Sequence, residues 1–208
     1  MACLLPDPTP KQQKMETKTF EVIPSQSGIA WTGRKVTGAH NGTIGVTAGM
    51  FMVENGKLIG GKFIIDTTSI KILDVTDTAT NAQFAAHLAS DDFFASNAFP
   101  TAIFEITSVT PAPSNFYHIG GNLTIKGITA PVSFDAMVEI HDSMARAVGK
   151  ITIDRTKYDM KFRSGSFFKN LGDTLIYNDF DLNINISAKA VDTAGAEVSE
   201  MQGITAEK

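Results

Sequence analysis

Four histidines, a single cysteine and one adjacent carboxylate pair stand out in this 208-residue chain for the chemistry they could support. His40, His87, His118 and His141 lie too far apart for any two to share the short spacing of metal ligands, and they fall on different predicted elements. No metal site is assigned. His40-Asn41-Gly42 reads as a tight turn between two strands, and His87 as a helical residue within reach of Ser90 or Asp91. Asp91-Asp92 offers either a carboxylate pair for general acid–base work or, the commoner arrangement, a capped turn. Gly60-Gly61 sits inside an apolar strand pattern, so it predicts a bulge or a close backbone approach and not a phosphate loop. There is no Gly-x-Ser-x-Gly, and Cys3 lies in a leader too irregular to preorganise a nucleophile. No catalytic residue is assigned. An enzyme with Asp91, Asp92 or His87 in its site stays open as the alternative.

Cys3 has a second reading. Ala2-Cys3 is followed by Leu4-Leu5-Pro6-Asp7-Pro8-Thr9-Pro10, a proline-rich stretch that cannot pack. The mature start of an acylated lipoprotein, tethered to a membrane surface, has this form; so does a cytoplasmic chain whose third residue happens to be cysteine. No charged and apolar signal region precedes it. Being alone, Cys3 excludes an intramolecular disulfide and a cysteine-based zinc site. A formal charge of -4 with no basic cluster argues against nucleic acid as a partner. No apolar run approaches the roughly 18–20 residues of a spanning helix.

The elements that must position these residues are mostly strands. Phe84 and Leu88, four apart among Ala82, Ala85, Ala86 and Ala89, predict one short amphipathic helix over about 79–90. Ser90-Asp91-Asp92 stop it by local side-chain hydrogen bonds. Phe93, Phe94 and Phe99 follow, and so much aromatic surface needs cover, most simply the open end of something hollow. Pro100 then forces extension. Asn55-Gly56 is the strongest hairpin signal, because a type I′ turn needs positive φ at both central positions. A persistent β pattern from Ile29, apolar on both faces for part of 57–73 and cleanly alternating from about 101 onward, marks strands near 29–37, 43–53, 57–73, 101–110, 117–126, 131–141, 145–154 and 179–190. The last sets Phe180, Leu182, Ile184, Ile186, Ala188 and Ala190 against polar partners. About eight long antiparallel strands favour closure into an all-β barrel with one helix over an end, since closure removes sticky edges. A β-sandwich fits the pattern as well.

The run His87 to Phe104, HLASDDFFASNAFPTAIF, resembles the HLxSxDFFxxxxxPxxxF signature of the YceI-like family of polyisoprenoid-binding periplasmic proteins. Trp31-Thr32-Gly33-Arg34-Lys35, His40-Asn41-Gly42, Gly60 to Asp66, Gly121 to Thr129 and the closing Asp179 to Ala190 strand fall in the family's order. The resemblance covers a domain over 19–190, with a leader at 1–18 and a tail at 191–208 outside it. It implies an eight-stranded antiparallel, lipocalin-like barrel holding a long apolar chain, a polyisoprenoid or isoprenoid quinone, with no other cofactor. It also hints at a homodimer and at a periplasmic or membrane-anchored location.

On that expectation the pocket is lined by Trp31, Phe51 and Phe63 of the early strands and by Leu88, Phe93, Phe94 and Phe99 of the helix and its exit. Phe104, Leu123, Phe134 and Ala147 add the middle strands, Phe162 the long 155–178 connection, and Phe180, Leu182 and Ile184 the last strand. Strand parity places the helix and that connection at one end of the barrel. At the other end the inward residues Ala145, Ala147, Gly149, Ala188 and Ala190 are small, which leaves deep volume unless Phe51 or Met52 fills it. The connection carries Tyr158, Phe162, Phe167 and Phe168 among Lys157, Lys161, Arg163 and Lys169. It is either a cover whose cations meet a headgroup or membrane, or a surface loop resting on the barrel end. The expected function is non-catalytic lipid binding or transport; a lipocalin-shaped enzyme acting on a lipid-like substrate is the alternative, and a barrel with a solid interior, serving assembly or stress response, the third possibility.

Overall fold

A computed structural model describes residues 17–191 of the chain. Cys3 and most of the leader and tail lie outside them. Nine strands and one helix follow in order: β1 (Thr17–Val22), β2 (Gly28–Lys35), β3 (Gly38–Glu54), β4 (Lys57–Ile72), α1 (Thr78–Ala89), β5 (Thr101–Pro111), β6 (Phe116–Ile125), β7 (Ile128–Ile140), β8 (Met144–Asp154) and β9 (Ile176–Val191). Every neighbouring pair is antiparallel, and β3 pairs with β4 to shut the sheet on itself. Closure decides for the barrel against the sandwich.

The nine strands fill eight positions. β1 pairs with β3 at Met50–Glu54 and with β9 at Ala188–Val191, while β2 pairs with the other ends of the same two strands. The two are one stave broken by a short 3-10 turn at Pro24–Gln26, where a proline lacks the N–H a continuous ladder needs. The helix spans 78–89, one residue from the expected position. Asp77 caps it, its carboxylate accepting from the Thr80 N–H at 2.8 Å, and the Ser90 hydroxyl closes it on the His87 carbonyl at 2.7 Å.

Asn55 and Gly56 have φ of 49° and 75°, the signature expected of that hairpin. Lys126-Gly127, φ 51° and 72°, makes a second two-residue turn, so β7 starts at Ile128, ahead of the expected 131. One turn is corrected. His40-Asn41-Gly42 lies inside β3, paired with Gly33, Thr32 and Trp31 of β2; the chain reverses at Val36-Thr37 instead. Gly42 serves a close approach and no reversal: a Cβ there would lie 2.6 Å from Trp31 Cζ2 and would also strike the Lys71 carbonyl. A bulge falls beside Gly60-Gly61, with Ile59 the extra residue between the Met52–Gly60 and Val53–Leu58 pairs, and the glycines themselves serve a close approach, since a Cβ on Gly61 would meet the Met50 carbonyl oxygen at 2.7 Å.

The end at the Asn55-Gly56 turn is solid. Phe20, Val53, Leu58, Val138, Ala145 and Ala188 are each at most 2 % exposed there. Phe20, from the broken first stave and paired with Ala190 of β9, is a large side chain among the small Ala145 and Ala188 of this end.

Candidate functional site

Above that plug the barrel is hollow. A cavity of about 670 Å³ runs from Phe51, Ala136, Ala147 and Ile186 up to α1 and the 155–175 connection. Its volume falls in the range of small-molecule sites. Met52, which could have filled it, points outward and is 40 % exposed. Ala147 faces the cavity, whereas Ala145 and Ala188 lie within the plug.

Glycines keep the hollow open. Trp31 lies over Gly42 on the neighbouring strand. Phe63 lies against Gly49 and Gly61, and Phe104 against Gly121, where a Cβ would come within 2.6 Å of its Cζ. Each ring takes the space on the wall where a side chain is missing. The rings chain together as Phe51–Phe63–Phe104–Phe134, with centroids 5.0, 6.4 and 5.7 Å apart. The Trp31 indole N–H is buried and has no hydrogen-bond partner.

The mouth is roofed by α1 through Phe84, His87 and Leu88, and by the chain that leaves it. The Phe94 N–H bonds the Leu88 carbonyl and the Ala95 N–H bonds that of Ser90, a left-handed Ala95 (φ 48°) completing the reversal. Phe93 and Phe94 thereby turn into the cavity. Phe162 of the 155–175 connection packs on His87 and Phe93, centroids 4.7 and 5.8 Å away, so this connection and the helix form one roof. Lys126 ties it down, donating to the Asp91 carbonyl at 2.8 Å and to that of Asp159 at 3.5 Å.

Fourteen of the fifteen expected lining residues face the cavity, from Trp31 to Ile184. Phe99 does not. It is 38 % exposed, and its ring lies outside the barrel against Gly127, because the Ala95 turn and Pro100 carry it past the mouth. Asp91 and Asp92 are exposed and stand outside the cavity. His87 contacts Asp92 at 3.0 Å, in place of the expected Ser90 or Asp91 side chains. His40 and His118 likewise each hold one carboxylate, Asp74 at 2.7 Å and Asp135 at 2.9 Å. Among the described residues no three potential ligands gather into a metal site.

Of the expected cations, Arg163 lines the mouth, stacked over Phe162 at 5.1 Å. Lys161 is turned away, paired with Asp159 and lying over Phe167 at 5.2 Å. Its hydrogen bond holds the Asp159 carboxyl below the usual carboxylate range. Arg155 was not foreseen. The residue lines the cavity and is 4 % exposed, and its guanidinium has its pKa drawn down by burial, with the Asp154 charge opposing. A signal existed: Arg155 continues the inward parity of Ile151 and Ile153.

A closed, eight-position antiparallel barrel with an apolar lumen under a helical roof defines a lipocalin-like binding fold. A model of the YceI-like domain matches residues 20–188, and the chain belongs to that family. BcnA of Burkholderia cenocepacia superposes with a TM-score of 0.61 at 20% identity, over 80% of this chain and 99% of that one. A polyisoprenoid-binding domain from Saccharophagus degradans, implicated in plant cell wall breakdown, gives 0.57 at 9% identity, over 83% and 98%. Both show the shared fold. A UPF0312 protein of Shewanella denitrificans is 31% identical over 88 residues, which span 42% of this chain and 44% of that protein's length.

Proposed function

We propose that the protein is a non-catalytic carrier of a long apolar chain, a polyisoprenoid or isoprenoid quinone, held in the lumen and exchanged with a lipid surface at the roofed end. The carrying observation is the cavity of about 670 Å³ walled by the four-phenylalanine chain and by aliphatic side chains from every stave. The polyisoprenoid-binding neighbour from Saccharophagus degradans supports the ligand class. Hiding roughly 500 Å² of chain at about 25 cal/mol per Å² provides on the order of 12 kcal/mol gross. Association and chain ordering take back several kcal/mol or more, which leaves useful but reversible binding. Apolar walls hold a chain without measuring it, so selectivity among chains that fit is loose.

Organic extraction with mass spectrometry, beside native mass spectrometry of the purified protein, tests this reading. A stoichiometric isoprenoid or quinone is expected. A mass that stays empty after incubation with such lipids would refute it. Ala147→Phe fills the foot of the cavity, so the longest chains should lose at least tenfold in affinity while short ones bind as before; equal affinity across lengths would show that the foot is not used.

A further inference from the structure

β8 points Ala147, Ile151 and Ile153 inward, and the next residue of that parity is an arginine. At Arg155 the chain bends into a short 3-10 turn (Arg155–Tyr158), so the side chain stays under the roof and never reaches water. The guanidinium donates to three backbone carbonyls, Met160, Ile176 (3.0 Å) and Tyr177 (3.1 Å), which are neutral acceptors. None of these partners is a carboxylate. Asp154 is a nearby counter-charge, but its carboxylate accepts from the Thr156 N–H and hydroxyl and not from the guanidinium; a guanidinium has five N–H groups, so three carbonyl bonds leave two.

The other mouth cations differ. Arg34 rests on Asp181 at 2.7 Å, and Arg163 is exposed over Phe162. Lys35, Asp173 and Asp179 also line the mouth, but of the lining arginine and lysine side chains Arg155 alone is buried, and charge-assisted hydrogen bonds are strongest in such a desolvated setting.

We propose that Arg155 anchors the polar end of the ligand: an anionic oxygen head, phosphate or carboxylate, docks on it beneath the roof while the chain runs down toward Phe51 and Ala147. This rests on the carrier reading and adds to it an orientation and a ranking of heads, anionic above neutral hydroxyl above bare hydrocarbon. The head sits at the 155–175 connection, so it enters last and leaves first.

The test uses three chain-matched probes, geranylgeranyl monophosphate, geranylgeraniol and the hydrocarbon phytane, titrated in detergent against Trp31 fluorescence. Wild type should bind the phosphate at least tenfold tighter than phytane. Arg155→Met should weaken the phosphate by about 10–100-fold and phytane by less than threefold, with Arg155→Lys in between. Equal losses on all three probes would reduce Arg155 to a roof fastener and overturn the proposal. So would a wild type that binds phosphate and phytane alike, a result that stands even if Arg155→Met fails to fold. A wild type that binds none of the probes would remove the carrier reading itself, and the anchor with it.

Discussion

Asp181 sits on the outer wall of the barrel, yet only 7 % of it is exposed. Its carboxylate takes Arg34 at 2.7 Å, Lys150 at 3.1 Å and the Thr152 hydroxyl at 2.8 Å, which ties β2, β8 and β9 together below the mouth. The Arg34 hydrogen bond, with Thr152 and Lys150 behind it, lowers its pKa from 3.8 to about 2. Because the folded value lies below the unfolded one, the stability it contributes is full above about pH 4 and fades as pH falls toward 2. Both cations reach it from solvent, so the contribution is discounted to about 1–2 kcal/mol. Asp181→Asn should therefore lose about that much at pH 7, and its denaturation midpoint should converge with wild type's below about pH 2. A gap that persists at low pH would mean that packing, not charge, is responsible. At this scale the sequence was readable wherever parity held. Phe104 and Leu182 follow from alternation, and Trp31 from the family motif. Arg155 obeys the same alternation and was passed over because a charged residue is expected outside. Phe99 was misplaced because apolarity says that a ring must be covered, not by which surface.

The wall elements raise a different question, which is how aromatic strands can enclose an empty space. The cross-strand pairing of a ring with a glycine answers it: Trp31 on Gly42, Phe63 on Gly49 and Gly61, Phe104 on Gly121. A methyl group at Gly42 would meet Trp31 Cε2 at 2.7 Å and the Lys71 backbone oxygen, and the backbone cannot yield as a side-chain tip can. Gly42→Ala should cost about 2–3 kcal/mol, the upper range of overpacking. For a chain of this size that lowers Tm by roughly 5–10 °C in a thermal melt. A Tm within 2 °C of wild type would show that the indole has room to shift. None of this pairing could be read from the sequence, since register is needed to know which glycine faces which ring. The same ignorance made His40-Asn41-Gly42 look like a turn, where turn-forming residue types outweighed the run of β3. The Asn55-Gly56 hairpin and the helix, whose signals are local, needed no register and were placed to within a residue.

For the molecule as a whole, large apolar residues are exposed at both ends: Met50, Met52, Ile59, Phe116 and Met144 toward the plugged end, and a second group around the mouth. Val36, Leu73, Phe167, Phe168 and Tyr177 are each about half exposed, and all belong to the roofed end. Backbone hydrogen bonds join their segments around the mouth: Val36 N–H to the Leu175 carbonyl, Leu73 to Asn41, and Phe167 and Phe168 both to Ser164. On the carrier reading proposed above, this mouth group would meet the headgroup layer of a membrane, and Lys157, Arg163 and Lys169 of the same connection would favour an anionic one. A carrier that docks there takes up its ligand without passing the chain through water. The double substitution Phe167→Ser with Phe168→Ser touches no residue of the cavity wall, so ligand affinity measured in detergent should be unchanged. Transfer of a fluorescent polyprenyl lipid from vesicles should slow by about tenfold, read by stopped-flow dequenching. Arg163→Gln should slow transfer only from anionic vesicles, and added salt should erase its difference from wild type. Lys161→Gln should do less, because Asp159 already holds that cation. If the double variant transfers at the wild-type rate while donor-vesicle concentration no longer matters, the ligand is leaving the membrane on its own before capture, and the apolar rim serves some other contact.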